Sequence, residues 1–330
     1  MSLTGLHGAR STEERTFGED DIMIKTANLI FFLLLSFILN RDAEAQLCCT
    51  TGSASASSFE VGVTPKNTLR LSLGHEYNAL SGTFVGSKRT DSNIVGSGSV
   101  QAYTLQAHYG ITRRWGVTLS APFVKSRRTF DDGLNTFSAS GIGDLSFLLK
   151  YSLKPLNIAS STEIAVGSGF KLPSGSKNVV DDGTSLNFNL QPGTGAWDLI
   201  LWGYYYKTYL PSGWSGTLSV LIRIPGTNSD GLQYGNELLY SIVINRRTSA
   251  STQFSLRFKG RNSSQVSIDK FENPNTGGII TFIAPSIVWN PVRLFSVETG
   301  IDVPAFYSVS GTQQALDFRT FIDASIYFNL

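Results

Sequence analysis

The sequence predicts an all-β protein: a transmembrane up-and-down antiparallel β-barrel of about twelve strands, preceded by an N-terminal signal peptide. Three observations predict this fold. Long segments alternate apolar and polar residues, short and long connections alternate along the chain, and an export signal lies near the N-terminus. Strands with this period that exceed the usual length of about 5–6 residues in soluble proteins are typical of membrane barrels.

Composition narrows the class without deciding it. The 330 residues include 32 Gly, 21 Phe and 12 Tyr, and only 16% are charged, which indicates a β-rich chain rather than a disordered one or a coiled coil. A mean hydropathy near zero fits a soluble protein and equally a barrel whose two faces alternate. A nucleic-acid partner would require a concentrated basic face. The net charge of only +2 does not indicate one, so no such partner is expected.

An export signal is predicted over residues 23–45. Lys25 precedes an apolar run from Ala27 to Leu39, and the small residues Ala43 and Ala45 form a cleavage site. The run is shorter than the roughly 20 residues of a spanning helix, although a retained anchor is the alternative. We therefore expect a cleaved signal, export to the outer membrane, and contact with the barrel-assembly machinery during biogenesis. Residues 1–22 are interpreted as a non-native or wrongly assigned extension, because Met23 is the expected start.

Residues 46–66 are predicted to be a flexible periplasmic or lumenal segment, rich in Ser and Gly, that is able to fold into the barrel and obstruct it. Two adjacent cysteines, Cys48 and Cys49, lie in this segment. Export to an oxidising compartment allows a vicinal disulfide or an intermolecular bond. The alternative, which we favour, is a flexible segment in which the pair has no role.

Residues 67–330 are predicted to form the barrel. Its last segment shows the pattern best, because every even position from Leu316 to Leu330 is apolar or small while most odd positions are polar. This alternation predicts one lipid-facing and one inward face. The predicted strands are 67–79, 99–111, 114–127, 142–154, 160–172, 195–208, 214–225, 234–246, 250–261, 277–289, 293–307 and 315–329.

The connections between these strands fall into two classes. Short turns are expected near 112–113, 155–157, 210–213, 247–248 and 290–292, and long polar loops near 80–98, 128–141, 173–194, 226–233 and 262–276, with a shorter one near 308–314. Alternation of the two classes is typical of periplasmic turns and external loops, with both termini inside. A soluble β-sandwich is the alternative, with its apolar faces packed together in a core.

The polar face of each strand is predicted to point into the lumen. Charges of both signs are nearly balanced there, so two interpretations stay open: a wet channel without strong ion preference, or a salt-bridge network that fills a narrow barrel. We favour a partly obstructed lumen. The lumen candidates are Arg70, Glu76, His108, Asp144, Lys150, Glu163, Lys171, Arg223, Glu237, Arg257, Lys259, Glu298, Asp302, Asp317, Arg319 and Asp323.

An enzyme is the alternative class of function. A hydrolase built on Ser, His and a carboxylate needs a suitably placed histidine. After signal removal only His75 and His108 remain, neither in a nucleophile motif, and strand parity places His75 towards lipid. No catalytic residue, metal or cofactor is therefore predicted, and His108 is interpreted as a lumenal hydrogen-bonding residue.

Three segments carry a family resemblance. They are Ser140-Gly-Ile-Gly-Asp-Leu-Ser-Phe-Leu-Leu-Lys-Tyr151, Gly167-Ser-Gly-Phe-Lys-Leu-Pro-Ser-Gly175 and Pro192-Gly-Thr-Gly-Ala-Trp-Asp198. In this order they resemble the barrel family labelled phenol-degradation meta-pathway outer-membrane proteins. The Ala-Glu-Ala-Gln site and the cysteines after it resemble Bacteroidetes-type members. The terminal Leu330 departs from the aromatic residue on which assembly signals usually end.

The resemblance implies an outer-membrane transporter or channel for small, hydrophobic compounds, and it supplies no catalytic residues. The expected function is therefore passage of a small solute across the outer membrane. An accessory barrel with an occluded lumen is the second hypothesis, and a membrane-embedded hydrolase is the third.

Overall fold

A computed structural model describes residues 59–90, 97–129, 136–156, 161–209 and 212–330. The predicted extension, the signal peptide and both cysteines lie outside these ranges. Within the described ranges, no helix is long and apolar enough to cross a membrane.

Twelve long strands form one closed antiparallel barrel, as predicted. Each strand pairs with the next along the chain, and the last returns to pair with the first, from Thr68–Asn329 to Val85–Thr312. The strands are β1 (Thr68–Val85), β2 (Ser97–Gly110), β3 (Trp115–Thr129), β4 (Thr136–Ile142 and Ser146–Lys154), β5 (Thr162–Lys171), β6 (Asp198–Tyr209), β7 (Trp214–Pro225), β8 (Glu237–Arg247), β9 (Thr252–Ser263), β10 (Gly278–Val292), β11 (Phe295–Val309) and β12 (Thr312–Asn329).

Two strands extend furthest beyond their predicted limits on the side of the long loops. β1 continues to Val85 and forms a small hairpin with Lys88–Thr90, so part of the predicted first loop is strand. β4 begins at Thr136 and is interrupted at residues 143–145, although both of its segments pair with β3. At the interruption the amide of Gly143 donates to the carbonyl of Pro122 over 2.8 Å, which keeps the two strands connected there.

The long loops carry some structure of their own. Short strands pair within them at Val180–Asp181 with Thr184–Ser185, and at Leu232–Gln233, Ser267–Ile268 and Phe271–Glu272. Loop residues Leu186 and Leu190 are buried against Ala139 of β4. The third long loop, predicted from its polarity alone, therefore packs onto the barrel through a small apolar cluster.

The distribution of polar and apolar residues is the reverse of that in a soluble protein. Large apolar side chains in the middle of strands are exposed, for example Leu105 at 54% and Leu119 at 52%, while polar residues between them on the same strands are buried. A surface of this kind is stable only against hydrocarbon, so the outer face of the barrel is its lipid-facing surface. A soluble sandwich, which would bury these residues, does not fit.

Candidate functional site

Residues 59–66, which we call the inner segment, lie among the inward side chains of the barrel. Glu60 anchors this segment: its carboxylate lies 2.9 Å from Nε of Arg257 on β9. It also accepts a 2.7 Å hydrogen bond from the hydroxyl of Ser241 on β8. A buried carboxylate is stable only when it is paired in this way, so these contacts hold the start of the inner segment against one side of the lumen.

Three strands on the other side of the lumen hold the backbone of the inner segment. Nζ of Lys150 on β4 donates to the carbonyl of Val61 over 2.7 Å, and Nε1 of Trp202 on β6 donates to the carbonyl of Phe59 over 2.8 Å. The amide of Val63 donates to Glu163 on β5 over 3.0 Å. Together with Arg257 and Ser241, these residues connect the segment to five strands. The inner segment therefore crosses the interior of the barrel.

The inner segment enters from the end that carries the short turns. Its last residues run beside Gly110, at the end of β2, where Lys66 forms a parallel bridge. A Cβ on Gly110 would overlap the carbonyl oxygens of Thr64 and Pro65. Glycine is therefore needed at this position to let the two backbones approach. Because the short turns of outer-membrane barrels are periplasmic, the segment enters from the periplasm.

A charged cluster fills the interior near the break in β4. Lys171 Nζ lies 2.7 Å from Asp144 and 3.2 Å from Asp198. The backbone amide and hydroxyl of Thr194 both donate to the Asp144 carboxylate, over 2.9 and 2.7 Å. Asp144 also accepts the amide of Gly175 over 2.9 Å. One carboxylate thus ties β4 and β5 to the third long loop, and the family-like segments around these residues meet at this point.

The cluster continues through Arg223 on β7. Its guanidinium lies 3.7 Å from Asp198 and 2.5 Å from Glu237 on β8. Glu237 in turn pairs with Arg261 on β9. Cations and anions alternate along the chain of contacts from Lys171 to Arg261, so each buried charge has a neighbour of opposite sign.

A second charged cluster lies on the other wall. Arg257 pairs with Glu298 as well as with Glu60, and its guanidinium stacks over the ring of Phe321 at 5.6 Å. Nζ of Lys259 lies 3.0 Å from Asp302. Asp302 also lies 3.4 Å from Arg319, which extends the cluster to β12.

Arg70, Asp323 and His108 lie apart from these two clusters. Arg70 lies 3.7 Å from Asp323, near the periplasmic end. His108 is fully buried, and its ring nitrogens lie 2.9 Å from Thr118 Oγ1 and 3.2 Å from Gln106 Oε1.

The other two predicted acids have different surroundings. Glu76 approaches Arg319 at 3.9 Å. Asp317 pairs at 3.1 Å with Arg89 of the external hairpin.

Several residues of the site were not identified from the sequence. Glu60 precedes the first strand, so strand alternation carries no information about it. Asp198 and Trp202 lie in a segment without a clear alternation of apolar and polar residues, because Gly203 and three consecutive tyrosines interrupt that pattern. Arg261 lies at the end of the predicted ninth strand, outside its clear alternation.

One small cavity lies beside the inward charges of β4, β5, β7 and β8. It has a volume of about 20 Å³, which is room for about one water molecule. Its lining includes Ser120, Asp144, Lys171, Arg223 and Glu237. The charged clusters and the inner segment thus occupy part of the lumen.

Comparison with known proteins agrees with this architecture. A family model described as "Putative MetA-pathway of phenol degradation" matches residues 73–328. The outer membrane channel from Pseudomonas putida F1 superposes with a TM-score of 0.67 at 14% identity, over 84% of this chain and 100% of that one. This likeness confirms the barrel fold, and with the apolar exterior it places the chain in the outer membrane.

Two further solved structures have lower similarity. The CymD monoaromatic hydrocarbon channel has a TM-score of 0.44 at 9% identity, over 87% of this chain and 98% of that one. The Ralstonia pickettii toluene transporter TbuX has a TM-score of 0.40 at 10% identity, over 87% and 96%. Both TM-scores are too low to establish that these proteins share the fold of this chain. No curated protein matches the sequence.

Proposed function

We propose that this chain, which belongs to the MetA-pathway of phenol degradation family, is an outer-membrane channel for small hydrophobic solutes. The observation that carries the proposal is an apolar zone inside the external half of the barrel. Leu80, Val100, Val124, Ile280 and Phe282 are buried there in one cluster. Inward positions of a barrel that only transports ions would be polar, so this lining favours an apolar solute.

The charged clusters support the same class of solute. Lys171, Arg223 and Arg257 each lie within ion-pair distance of at least two carboxylates. Because the charges neutralise one another locally, they provide no ring of one sign that would concentrate anions or cations. A small uncharged molecule is the solute least affected by such a lumen.

A channel of known structure with the same fold supports the proposal that this chain is a channel. The Pseudomonas putida structure that shares the fold is described as an outer membrane channel. The inner segment crosses the lumen, so the proposed passage includes movement of that segment or of the charged side chains that hold it. The proposed function is thus transport without catalysis, by a channel whose lumen is crossed by the inner segment at rest.

A second candidate function is an accessory barrel with a permanently occluded lumen. The inner segment favours it, because five strands contact that segment through hydrogen bonds or ion pairs. In this case the barrel would serve as a scaffold in the membrane, and no solute would cross.

Single-channel recording separates the two functions. The full chain, folded in detergent, is inserted into a planar bilayer in simple salt, with heat-denatured protein as the control. Discrete openings are expected if the inner segment moves. Silence from protein with the electrophoretic mobility of a folded barrel would contradict the channel and favour the accessory barrel. Uptake of toluene by cells with and without the protein then tests the solute class.

A further inference from the structure

The outward face of β3 changes from apolar to basic towards its external end. The even-numbered residues from Gly116 to Ser126 are buried, so the odd-numbered residues point outward. These outward residues are apolar from Trp115 to Phe123, and the next two, Lys125 and Arg127, are basic and exposed. We call Lys125 and Arg127 the outer cations. A strand that faces lipid therefore carries two adjacent positive charges at its external end.

The length of β3 places the outer cations at the external boundary of the hydrocarbon. Trp115 begins the strand at the periplasmic end, where its ring centroid lies 4.6 Å from that of Tyr151, and aromatic residues line the membrane boundaries of such barrels. Lys125 follows ten residues later, which is about 33 Å along a strand. At a strand tilt of about 35–45° this length spans about 25 Å of membrane, the height of the apolar band. Lys125 therefore lies where the hydrocarbon ends and the lipid headgroups begin.

Two aromatic rings support Lys125 at this boundary. Its Nζ lies 5.9 Å from the ring centroids of both Tyr103 and Phe123, within the cation–π range of about 6 Å. The hydroxyl of Tyr103 donates to Oε1 of Gln101 over 3.2 Å. A tyrosine with an apolar body and a polar tip, beside a lysine whose stem covers apolar surface, is typical of a membrane–water boundary. These contacts support the position that the strand length gives.

The outer cations have uncharged neighbours in the sheet. The residues opposite them are Gln101 and Ser99 on β2 and Ser140 and Ser138 on β4. Asp181 of the third long loop accepts the amide of Ser138 over 2.7 Å, but within the parts of the chain that the structure describes no carboxylate lies within ion-pair distance of either outer cation. The cations of the two inward clusters, by contrast, are each paired with a carboxylate. The outer cations are thus available to an anion from outside the chain.

Phosphate is the anion that this site fits. The outer leaflet of the outer membrane consists of lipopolysaccharide, a glycolipid whose phosphate groups lie just above the hydrocarbon. Residues two apart on one face of a strand are separated by about 7 Å, so the side chains of both outer cations are long enough to reach one phosphate group. A guanidinium binds phosphate through two hydrogen bonds, and an ammonium adds a point charge. The exposed hydroxyl of Ser140 beside them is a further donor for phosphate or sugar oxygens.

We propose that the outer cations form a binding site for a phosphate group of lipopolysaccharide. The acyl chains of the bound lipid lie on the exposed apolar residues below the site, which include Phe123 and Leu119. The site goes beyond the proposed channel function and does not depend on it, because it lies on the outer surface of the barrel and not in the lumen. A lipid bound there fixes the height of β3 in the outer leaflet.

The test measures lipid binding by native mass spectrometry of the full chain folded in detergent. The probes are lipid A with both phosphates, lipid A from which the phosphates have been removed, and phosphatidylglycerol. Lys125→Gln/Arg127→Gln removes both charges and keeps polar side chains, and Lys207→Gln/Arg246→Gln is the matched control. Lys207 and Arg246 also lie outward, each 5.2 Å from an aromatic ring centroid, but at the periplasmic end. Heat-modified electrophoretic mobility verifies folding of every variant.

Wild type and the periplasmic control variant are expected to bind phosphorylated lipid A with the same affinity. Lys125→Gln/Arg127→Gln should bind it about thirtyfold more weakly, since each lysine or arginine at an anionic membrane surface contributes about fivefold. Removal of the phosphates from the lipid should weaken its binding to wild type by a similar factor. Equal affinity of wild type and Lys125→Gln/Arg127→Gln, or an equal loss in the control variant, would overturn the site. Binding of phosphatidylglycerol as tight as that of phosphorylated lipid A would overturn lipopolysaccharide as its ligand.

Discussion

The carboxylate of Glu60 lies 2.9 Å from Nε of Arg257, a residue 197 positions later in the chain. This ion pair fastens the inner segment to the wall at β9. Arg257 keeps a second partner, Glu298 on β11. Loss of the ion pair with Glu60 would therefore leave Arg257 still paired with Glu298.

Glu60→Gln is expected to loosen the inner segment and to increase single-channel current. The change removes a charge-assisted bond worth about 1.5–3 kcal/mol, while Glu298 still neutralises Arg257. Current is recorded in planar bilayers, with Glu272→Gln as the control because Glu272 is exposed in an external loop. Equal currents for wild type and Glu60→Gln would show that this bond does not limit passage.

Gly110→Ala is expected to displace the inner segment without disturbing β2. The added methyl group would overlap the carbonyl oxygens of Thr64 and Pro65. Limited proteolysis of the folded protein in detergent should then cut within 59–66 faster than in wild type. Gly203→Ala is the matched control, since a Cβ there meets nothing within 4 Å. If both variants are cut at the same rate, the close approach at Gly110 does not hold the segment.

Arg223→Ala is expected to destabilise the barrel. It leaves Glu237 with Arg261 alone and weakens the pairing of Asp198, and breaking a buried pair in this way costs about 3–5 kcal/mol. The free energy of unfolding is measured by urea titration in lipid vesicles. Arg113→Ala, in an exposed turn, should change it by less than about 0.5 kcal/mol. A similar small effect at Arg223 would contradict the interpretation of the cluster as a structural network.

Leu105→Arg tests the lipid-facing surface. Leu105 is 54% exposed in the middle of β2, and an arginine at the bilayer midplane costs about 2–4 kcal/mol. Leu156→Arg is the comparison, because Leu156 is 47% exposed beyond the periplasmic end of β4, where the cost falls to about 0–1 kcal/mol. The same urea titration in vesicles gives both values. Equal costs at the two positions would show that Leu105 does not lie in hydrocarbon.

The alternation of inward and outward positions along each strand, which we call parity, predicts much of the candidate site. The polar positions of alternating strands are predicted to face inward. The structure buries four of the residues at such positions, Asp144, Lys150, Arg223 and Asp302. Their role in a solute path remains a proposal. Asp317 shows the limit of parity, which predicts that it shares the inward face of Arg319. The pairing of β1 with β12 shifts between Ala79 and Leu80 and leaves Asp317 without an opposite residue, and its carboxylate pairs with the external hairpin.

The sequence by itself determined the number of strands, their direction and the division of each strand into two faces. These properties are local: side chains alternate along any strand, and loop length distinguishes the two ends of a barrel. Only the tertiary structure decided that Glu60 meets Arg257, that Thr194 binds Asp144 at the break in β4, and that the pairing of β11 with β12 ends at Asp302 and Arg319. Each of these depends on which side chains face one another across a closed wall. Asn78 and Arg319, for example, are joined across 241 positions, a separation over which periodicity carries no information.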